Sequence, residues 1–113
     1  MSSLFTKIIN REIPADIVYE DDQIIAFNDI NPQAPVHILI VPKKEIETLN
    51  DLETKDQEIV GKMFLTAKKL AVKLNIDKTG YRTVFNCNEH GGQTVFHIHL
   101  HLLGGRKLVW PPG

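Results

Sequence analysis

The segment TVFHIHLHLLGG, residues 94–105, carries the most regular pattern in the chain. Its three histidines, His97, His99 and His101, occupy every second position, and a large aliphatic residue follows each of them. Side chains of a strand alternate between its two faces, so every second residue lies about 6.6–6.8 Å further along the same face. In a helix the three rings would spread around the axis, since successive residues turn by about 100°. The segment therefore predicts a strand that buries its aliphatic residues and displays three imidazoles on the opposite face.

Clustered imidazoles of this kind fit two chemistries. Histidine is the commonest metal-binding side chain, but no acidic residue within the segment could complete a metal site. A neutral imidazole is also a competent nucleophile at phosphorus, and neighbouring imidazoles can hold phosphate oxygens and protonate a leaving group. Gly91 and Gly92, just upstream, would let backbone amides approach a phosphate closely. The second interpretation explains the glycines as well as the histidines, and the first does not.

Length and composition narrow the class of protein. A chain of 113 residues is the size of one domain, so we expect residues 1–113 to form a single domain. A formal charge of −1 without a basic stripe argues against binding to nucleic-acid polymers. No apolar run reaches the roughly 20 residues that span a bilayer, and the N-terminus does not resemble a signal peptide. With Cys87 as its only cysteine, the chain is predicted to be cytoplasmic and to lack disulfides and cysteine-based zinc sites.

Elsewhere the pattern predicts an α+β fold. Ser3 can cap a short helix, and Thr54 with Gln57 can form the capping box of a long amphipathic one. The apolar stripe predicted for that long helix consists of Ile59, Val60, Met63, Phe64, Ala67, Leu70, Ala71 and Leu74. Strands are predicted at residues 17–20, 23–29, 36–42, 81–88 and 95–103, with a glycine-rich turn at 89–93. We therefore expect a mostly antiparallel five-stranded sheet, covered by one long and one short helix.

The motif His97-Ile98-His99-Leu100-His101-Leu102-Leu103 resembles the signature of the histidine triad (HIT) superfamily, in which histidines alternate with apolar residues. The resemblance extends beyond the motif. FTKIINREIPADIVYEDDQIIAFNDINPQAPVHILIVPKK is similar to the N-terminal half of the nucleotide-binding (Hint) branch, and GGQTVFHIHLHLLGGRKLVWPPG to its C-terminal end. The similarity covers essentially the whole chain and is weakest in the middle helix.

This resemblance implies a purine nucleoside phosphoramidase, an enzyme that hydrolyses the P–N bond of adenosine or guanosine 5′-monophosphoramidates. By position in the motif, His99 is similar to the nucleophile that forms a nucleotidyl-histidine intermediate. His101 is similar to the residue that holds the phosphate and assists protonation of the leaving amine. His37 matches a fourth histidine that hydrogen-bonds within the triad, and His97 is expected to orient its neighbours.

The resemblance also implies a nucleotide site. Asp29 matches the acid that accepts hydrogen bonds from the ribose hydroxyls. The walls of the purine slot correspond to Phe5, Ile8, Phe27 and Ile30. The phosphate side corresponds to Asn86 and to a turn formed by Gly92, Gln93, Thr94 and Val95. Thr94 departs from the serine that is frequent in the family, which bears on the choice of leaving amine, whereas His90 is expected to lie on the surface.

Family members are homodimers, so the sheet is expected to extend across a two-fold axis through residues 81–88. The C-terminal tail, with Trp110, is then expected near the active site of the partner. Neither a metal nor a cofactor is expected. Two alternatives remain open: a dinucleoside polyphosphate hydrolase or nucleotidyl transferase of the same superfamily, and a nucleotide-binding scaffold whose partner interactions matter more than turnover.

Overall fold

A five-stranded sheet forms the centre of the protein, as seen in a computed structural model that describes residues 2–113. Its strands are β1 (Ile17–Glu20), β2 (Ile24–Asn28), β3 (Val36–Pro42), β4 (Tyr81–Val84) and β5 (Leu100–Gly104). The helices are α1 (Leu4–Ile9), α2 (Gln57–Lys73) and α3 (Asn88–Gly91), with 3₁₀ turns at Leu49–Asp51 and Thr54–Asp56. The strand order is β1-β2-β3-β5-β4, and every neighbouring pair is antiparallel. The predicted α+β architecture is confirmed.

The central strand, β3, is buried on both faces because two layers cover it. Ile38 and Ile40 point towards α2, whereas Leu39 and Val41 point towards α1. Its run of β-branched and aliphatic residues suits this position, since a strand that is covered on both sides needs apolar side chains at consecutive positions. The prediction of a buried central strand at 36–42 is confirmed.

Helix α2 covers one face of the sheet with Met63, Ala67, Leu70 and Ala71. Two other members of the predicted stripe, Phe64 and Leu74, are 43% and 40% exposed, so their predicted burial was wrong. Phe64 lies to the side of the buried stripe, where its ring meets Phe85 at 5.9 Å between centroids. Leu74 follows the last helical residue and caps the helix.

The start of α2 also differs from the prediction. Residues 54–56 form a 3₁₀ turn, and the capping interaction is shifted by one residue from Thr54 and Gln57 to Glu53 and Asp56. Asp56 accepts a hydrogen bond from the backbone N–H of Glu53 at 2.9 Å and another from Lys44 Nζ at 2.6 Å. An ionised carboxylate that accepts both bonds holds the turn more firmly than the neutral amide of Gln57 would.

The opposite face is covered by the short helix α1. Ser3 caps it as predicted, because its hydroxyl oxygen accepts from the backbone N–H of Thr6 at 2.9 Å. Phe5 and Ile8 are the buried residues of the helix. They pack against the inward side chains of β2 and β3, which are Ile25, Phe27, Leu39 and Val41.

The histidine segment is less regular than predicted, since β5 begins only at Leu100. Residues 95–97 form a bend, and the backbone N–H of Ile98 donates to the carbonyl of Ile46 instead of to a neighbouring strand. The alternation survives this departure: the members of the set Ile98, Leu100 and Leu102 are all buried in the core under α2. The predicted display of the imidazoles was wrong for His97 and His99, which are 0% and 8% exposed. Phe5 of helix α1 covers this face of the segment, with its ring centroid 6.0 Å from that of His97 and 4.9 Å from that of His99.

Strand β4 and the C-terminal tail form one edge of the molecule. The strand ends at Val84, earlier than predicted, and residues 88–91 form a helical turn that closes on Gly92 with φ of 87°. Arg82 donates to the carbonyl of Val109 at 3.1 Å, and its guanidinium carbon lies 5.8 Å from the centre of the Trp110 ring. The Trp110 side chain is nevertheless 80% exposed. In residues 2–113, no helix has the length and apolar character needed to cross a membrane.

Candidate active site

Four histidines meet on the α1 side of the sheet. His37 comes from β3 and His101 from the adjacent β5, and their rings lie 5.2 Å apart between centroids. The strand register pairs His101 with Leu39, so His37 is its diagonal neighbour on the same face. The ring of His99 follows at 4.9 Å from that of His101. Two adjacent strands therefore bring together side chains that are 64 residues apart in sequence.

The tautomer of His99 follows from its surroundings. Its Nδ1 lies 2.8 Å from the carbonyl oxygen of His97. A carbonyl can only accept, so Nδ1 carries the proton and Nε2 presents a lone pair. Burial lowers the pKa of His99 below its ordinary value, which keeps the ring neutral near neutral pH. The side chain lines an open groove, so this lone pair belongs to a ring that a ligand can reach.

A second chain of hydrogen bonds fixes His37 and His101. The backbone N–H of Gln33 donates to His37 Nδ1 at 3.0 Å, so the proton of the neutral ring is on Nε2. That Nε2 lies 2.9 Å from His101 Nδ1 and donates to it. His101 therefore carries its own proton on Nε2, which is buried and has no hydrogen-bond partner within residues 2–113. The site thus contains a neutral N–H donor that remains free for a ligand.

The pKa values are consistent with neutral rings. Burial, followed by the neighbouring His99 and His37, lowers the pKa of His101 to about 4. Burial also lowers the pKa of His37, although the carboxylate of Asp29, 3.4 Å from His37 Nε2, acts in the opposite direction. Near neutral pH the contact between Asp29 and His37 is accordingly a long polar contact with a neutral ring and not an ion pair.

A groove of about 380 Å³ opens beside His99 and His101. Its apolar lining includes Phe5, Ile8, Phe27, Leu39 and Val95, and its polar lining includes Asp29, Thr94, His99 and His101. Phe5 forms the corner, with its ring 5.3 Å from Phe27 and 4.9 Å from His99 in edge-on arrangements. A largely apolar groove whose lining also includes an imidazole with a free lone pair and an imidazole with a free N–H suits an aromatic ligand that carries an anionic group.

Comparison with known proteins agrees with this geometry. Residues 10–108 match the HIT domain. The chain belongs to the HIT domain family. It is 55% identical over 98% of its length to an uncharacterized HIT-like protein of Synechococcus elongatus, of which the match covers 96%. It is 54% identical to the purine nucleoside phosphoramidase of Escherichia coli, with 94% of this chain and 89% of that protein covered.

Solved structures support the same assignment. The crystal structure of a HIT family hydrolase from Legionella pneumophila superposes with a TM-score of 0.98 and is 55% identical. The alignment covers 99% of this chain and all of that one. The predicted membership of the family and the predicted fold are therefore confirmed.

Most residues predicted for catalysis or for nucleotide binding line the groove. They are Phe5, Ile8, Phe27, Asp29, Ile30, Thr94, Val95, His99 and His101. Ile30 is 99% exposed, so it stands at the rim and not in a wall. His37 and His97 do not line the groove. They hydrogen-bond to His101 and His99, which do. The groove also contains residues that were not predicted, among them Leu39, which shares the inward face of β3 with His37. Alternation from His37 could have identified it.

Three predicted residues, Asn86, Gly92 and Gln93, do not line the groove. Gln93 is turned inward: its amide nitrogen donates to the carbonyls of Glu47 and Val95, and its oxygen accepts from the N–H of Asn88. Those bonds hold the turn in place and leave little capacity for a ligand. The proposed contacts of these three residues with nucleotide remain predictions.

The same cluster also offers donors for a metal ion. Ligand atoms of Asp29, His37 and His101 lie within 4.8 Å of one another. However, both nitrogens of His37 are already in hydrogen bonds, Nδ1 with the N–H of Gln33 and Nε2 with His101 Nδ1. A cation would have to displace the proton on His37 Nε2, whereas the present arrangement already satisfies both atoms. The donor set is therefore better explained by hydrogen bonding than by metal ligation.

Proposed function

We propose that this protein is a hydrolase that cleaves the P–N bond of purine nucleoside 5′-monophosphoramidates, with His99 as the nucleophile. The observation that carries the proposal is the state of the His99 ring. Its Nδ1 proton is held by the His97 carbonyl, and its Nε2 lone pair belongs to a ring that lines the groove. Similarity to the purine nucleoside phosphoramidase of Escherichia coli supports the choice of substrate class.

In the first step, His99 Nε2 attacks phosphorus, a bond forms between nitrogen and phosphorus, and the bond to the amine breaks as the amine takes up a proton from solvent, which the second step returns. His101 presents its free Nε2–H to a phosphate oxygen and assists protonation of the leaving amine. In the second step, water attacks phosphorus, and the nucleoside monophosphate leaves with the His99 lone pair restored. The net reaction consumes one water, whose hydroxyl goes to phosphorus and whose proton goes to the amine.

The remaining groove residues bind the nucleoside in this proposal. The purine lies between the apolar side chains of Phe5, Ile8 and Phe27, which contact its flat faces without demanding a particular base edge. Asp29 accepts hydrogen bonds from the ribose hydroxyls, for which its Oδ2 is suited because Oδ1 accepts from the N–H of Asn31 at 2.8 Å. Thr94 and Val95 lie beside the phosphate, and Ile30 covers the rim. Asn86, Gly92 and Gln93 shape the turn behind it.

The decisive test is steady-state hydrolysis of adenosine 5′-phosphoramidate by the wild type and by His99→Gly. We expect kcat to fall on the order of 10³-fold or more, as befits removal of a covalent catalyst. His90→Gly is the matched control, because His90 is exposed and lies outside the groove. Retention of more than a few per cent of kcat by His99→Gly would rule out His99 as the nucleophile.

Two further measurements define the substrate and the intermediate. A dinucleoside polyphosphate offered in the same assay distinguishes P–N from P–O cleavage, and faster turnover of the polyphosphate would contradict the proposal. Rapid quenching followed by mass spectrometry should locate a nucleotidyl adduct on the peptide that contains His99. An adduct on His97 or His101 would reassign the nucleophile.

We also propose that the protein acts as a homodimer joined along β4. Within the described residues this strand has a neighbour on one side only, and Trp110, held near it by Arg82, is 80% exposed. A second copy pairing with β4 would bury both features and bring each tail towards the site of the other subunit. Light scattering of the wild type should give a dimer mass, and a monomer at working concentration would contradict the proposal.

A further inference from the structure

Ser3 connects the N-terminal helix to the histidine cluster through one hydroxyl group. Its Oγ lies 2.7 Å from His97 Nδ1 and also accepts from the N–H of Thr6, the capping bond of α1. Its backbone N–H donates to Glu45 Oε1 at 2.8 Å, and the hydroxyl of Thr6 donates to the same oxygen at 2.6 Å. Glu45 therefore fixes the residue from one side while His97 contacts it from the other.

The direction of the bond between Ser3 and His97 follows from the other nitrogen of the ring. His97 Nε2 lies 2.7 Å from the carbonyl oxygen of Pro42, which can only accept. The proton of the neutral ring is therefore on Nε2, and Nδ1 has a lone pair. Ser3 must donate its one hydroxyl proton to that nitrogen to form the 2.7 Å bond, so the longer contact of 3.2 Å between Ser3 Oγ and Thr6 Oγ1 cannot use the same proton. Without this donor, a buried acceptor would lack a partner, because the His97 side chain is fully buried.

The position of the His97 ring bears directly on His99. The carbonyl of His97 accepts the Nδ1 proton of His99, so it determines which nitrogen of His99 carries the lone pair. His97 lies in a bend before β5 begins, and the planar peptide group that carries its carbonyl is held by the N–H of Ile98, which donates to the carbonyl of Ile46 at 2.8 Å. Two side-chain bonds of His97, to Pro42 and to Ser3, fix the same residue through its ring.

The same serine also positions the wall of the groove. It caps α1, and that helix carries Phe5, whose ring contacts both His99 and His97, with centroids 4.9 and 6.0 Å away. Movement of Ser3 would therefore disturb the acceptor of the His99 proton and the aromatic ring against His99 together. Both effects reach His99 through other residues, and Ser3 itself does not line the groove.

We propose that Ser3 is a positioning residue for the reaction: by donating to His97 Nδ1, it fixes the ring of the residue whose carbonyl holds His99 in its nucleophilic tautomer, in addition to the backbone bond from Ile98 to Ile46. The expected effect of Ser3 on kcat rests on the proposed function. The expected effect of Ser3 on the hydrogen bonds of His97 and His99 does not. The inference assigns to the chain upstream of α1 a part in the chemistry that the histidine motif alone does not indicate.

The test compares Ser3→Gly with Ser3→Thr. Glycine and threonine are about equally good at the cap position of a helix, but only threonine retains the hydroxyl. We expect Ser3→Gly to lower kcat about tenfold, roughly the effect of one lost buried hydrogen bond, with a smaller change in KM. Ser3→Thr should recover most of the loss. Ser2→Gly is the control for a glycine at the start of the chain, since Ser2 is exposed. If Ser3 acted only through the cap, both variants would match in kcat, and the proposal would be overturned.

A spectroscopic measurement separates this inference from the proposed function. In nitrogen-detected NMR of the imidazoles, Ser3→Gly should move the His97 Nδ1 resonance towards that of an unbonded nitrogen and speed exchange of the His99 Nδ1 proton. Ser3→Thr should resemble the wild type. An unchanged His99 signal in Ser3→Gly would overturn the inference whatever the substrate is. A wild type that hydrolyses no phosphoramidate, yet shows the expected signals, would overturn the proposed function alone.

Discussion

The two faces of the sheet are buried in different ways. Under the 17-residue helix α2, the core is formed by aliphatic side chains and Met63, with few polar groups to satisfy. Under the 6-residue helix α1, the buried set includes three imidazoles, from His37, His97 and His99. The first face gains stability from apolar area, whereas the second needs a hydrogen-bond partner for every ring nitrogen.

This difference is seen in how the histidine cluster is accommodated on the thinly covered face. A short helix leaves a groove open beside it, and the carbonyls of His97 and Pro42 and the N–H of Gln33 satisfy the buried nitrogens. The exception is His101 Nε2, a buried donor without a partner within residues 2–113. A donor left in this state costs roughly 1–3 kcal/mol. The unsatisfied donor makes the α1 face less stable beside the groove, whereas the apolar core of the α2 face stabilises the fold.

The largest effect on stability is expected from the α2 face. Met63→Ala removes a fully buried side chain at the centre of the helix and should lower the free energy of unfolding by about 2–5 kcal/mol. Activity per folded molecule should not change, because Met63 lies on the far side of the sheet from the groove. Urea titration with a parallel assay measures both quantities, with Lys69→Ala, at an exposed position of α2, as the control. A comparable loss of activity would show that the two faces are not independent.

A smaller effect is expected where the α2 face is closely packed. A Cβ added at Gly104 would lie 2.6 Å from Cδ1 of the buried Ile76. Gly104→Ala should therefore destabilise the protein by about 1–3 kcal/mol through overpacking. The double variant Gly104→Ala/Ile76→Val removes the opposing methyl group and should recover part of that loss in thermal unfolding. If the single and double variants were equally stable, the strain would not come from contact with the Ile76 methyl group.

The α1 face should instead respond to pH. The pKa of His101 is lowered to about 4, whereas a histidine in an unfolded chain titrates near about 6.5. As pH falls, the unfolded chain takes up this proton first, so the contribution to stability is complete above about pH 6.5 and is lost as pH approaches 4. Urea titrations from pH 7 to pH 4 should show a steeper loss for the wild type than for His101→Asn. If the stability of the wild type and of His101→Asn fell in parallel with pH, the lowered pKa of His101 would be contradicted.

The smallest effect is expected from removing metal ions. If the cluster of Asp29, His37 and His101 is held by hydrogen bonds, dialysis against EDTA should leave phosphoramidase activity and melting temperature unchanged. Elemental analysis of the purified protein provides the independent measurement. A stoichiometric metal together with loss of activity in EDTA would mean that the α1 face is organised around an ion.

Much of the fold could be predicted from local pattern, and the errors share a physical cause. The β3 strand and the Ser3 cap were predicted correctly because each depends on residues close together in sequence. Phe64 was assigned to the buried stripe because spacing along α2 cannot show how wide an arc the sheet covers. The predicted strand at 95–103 was too long because the Ile98 amide pairs with Ile46, a partner that periodicity does not indicate.

The residues of the candidate site also separate into those that the sequence predicted correctly and those whose contacts only the fold reveals. The motif predicted His99 and His101, and similarity to a known family added Asp29 and the apolar walls, all of which line the groove. Gln93 was assigned to the phosphate turn, but its amide is used by the carbonyls of Glu47 and Val95. The contribution of Ser3 was not predicted, because a cap residue and a histidine 94 positions away share no pattern.

The sequence by itself determined which side chains face the core and which face the site, since alternation along an extended backbone is a local property of neighbouring residues. Only the tertiary structure decided the protonation pattern of the histidines. Each proton is assigned by a backbone group that the folded chain brings to the ring: the carbonyl of Pro42 for His97, the carbonyl of His97 for His99, and the N–H of Gln33 for the pair of His37 and His101. Those groups are held against the rings only when the strands are packed and water is excluded, so the positions of the ring protons are a product of the folded state.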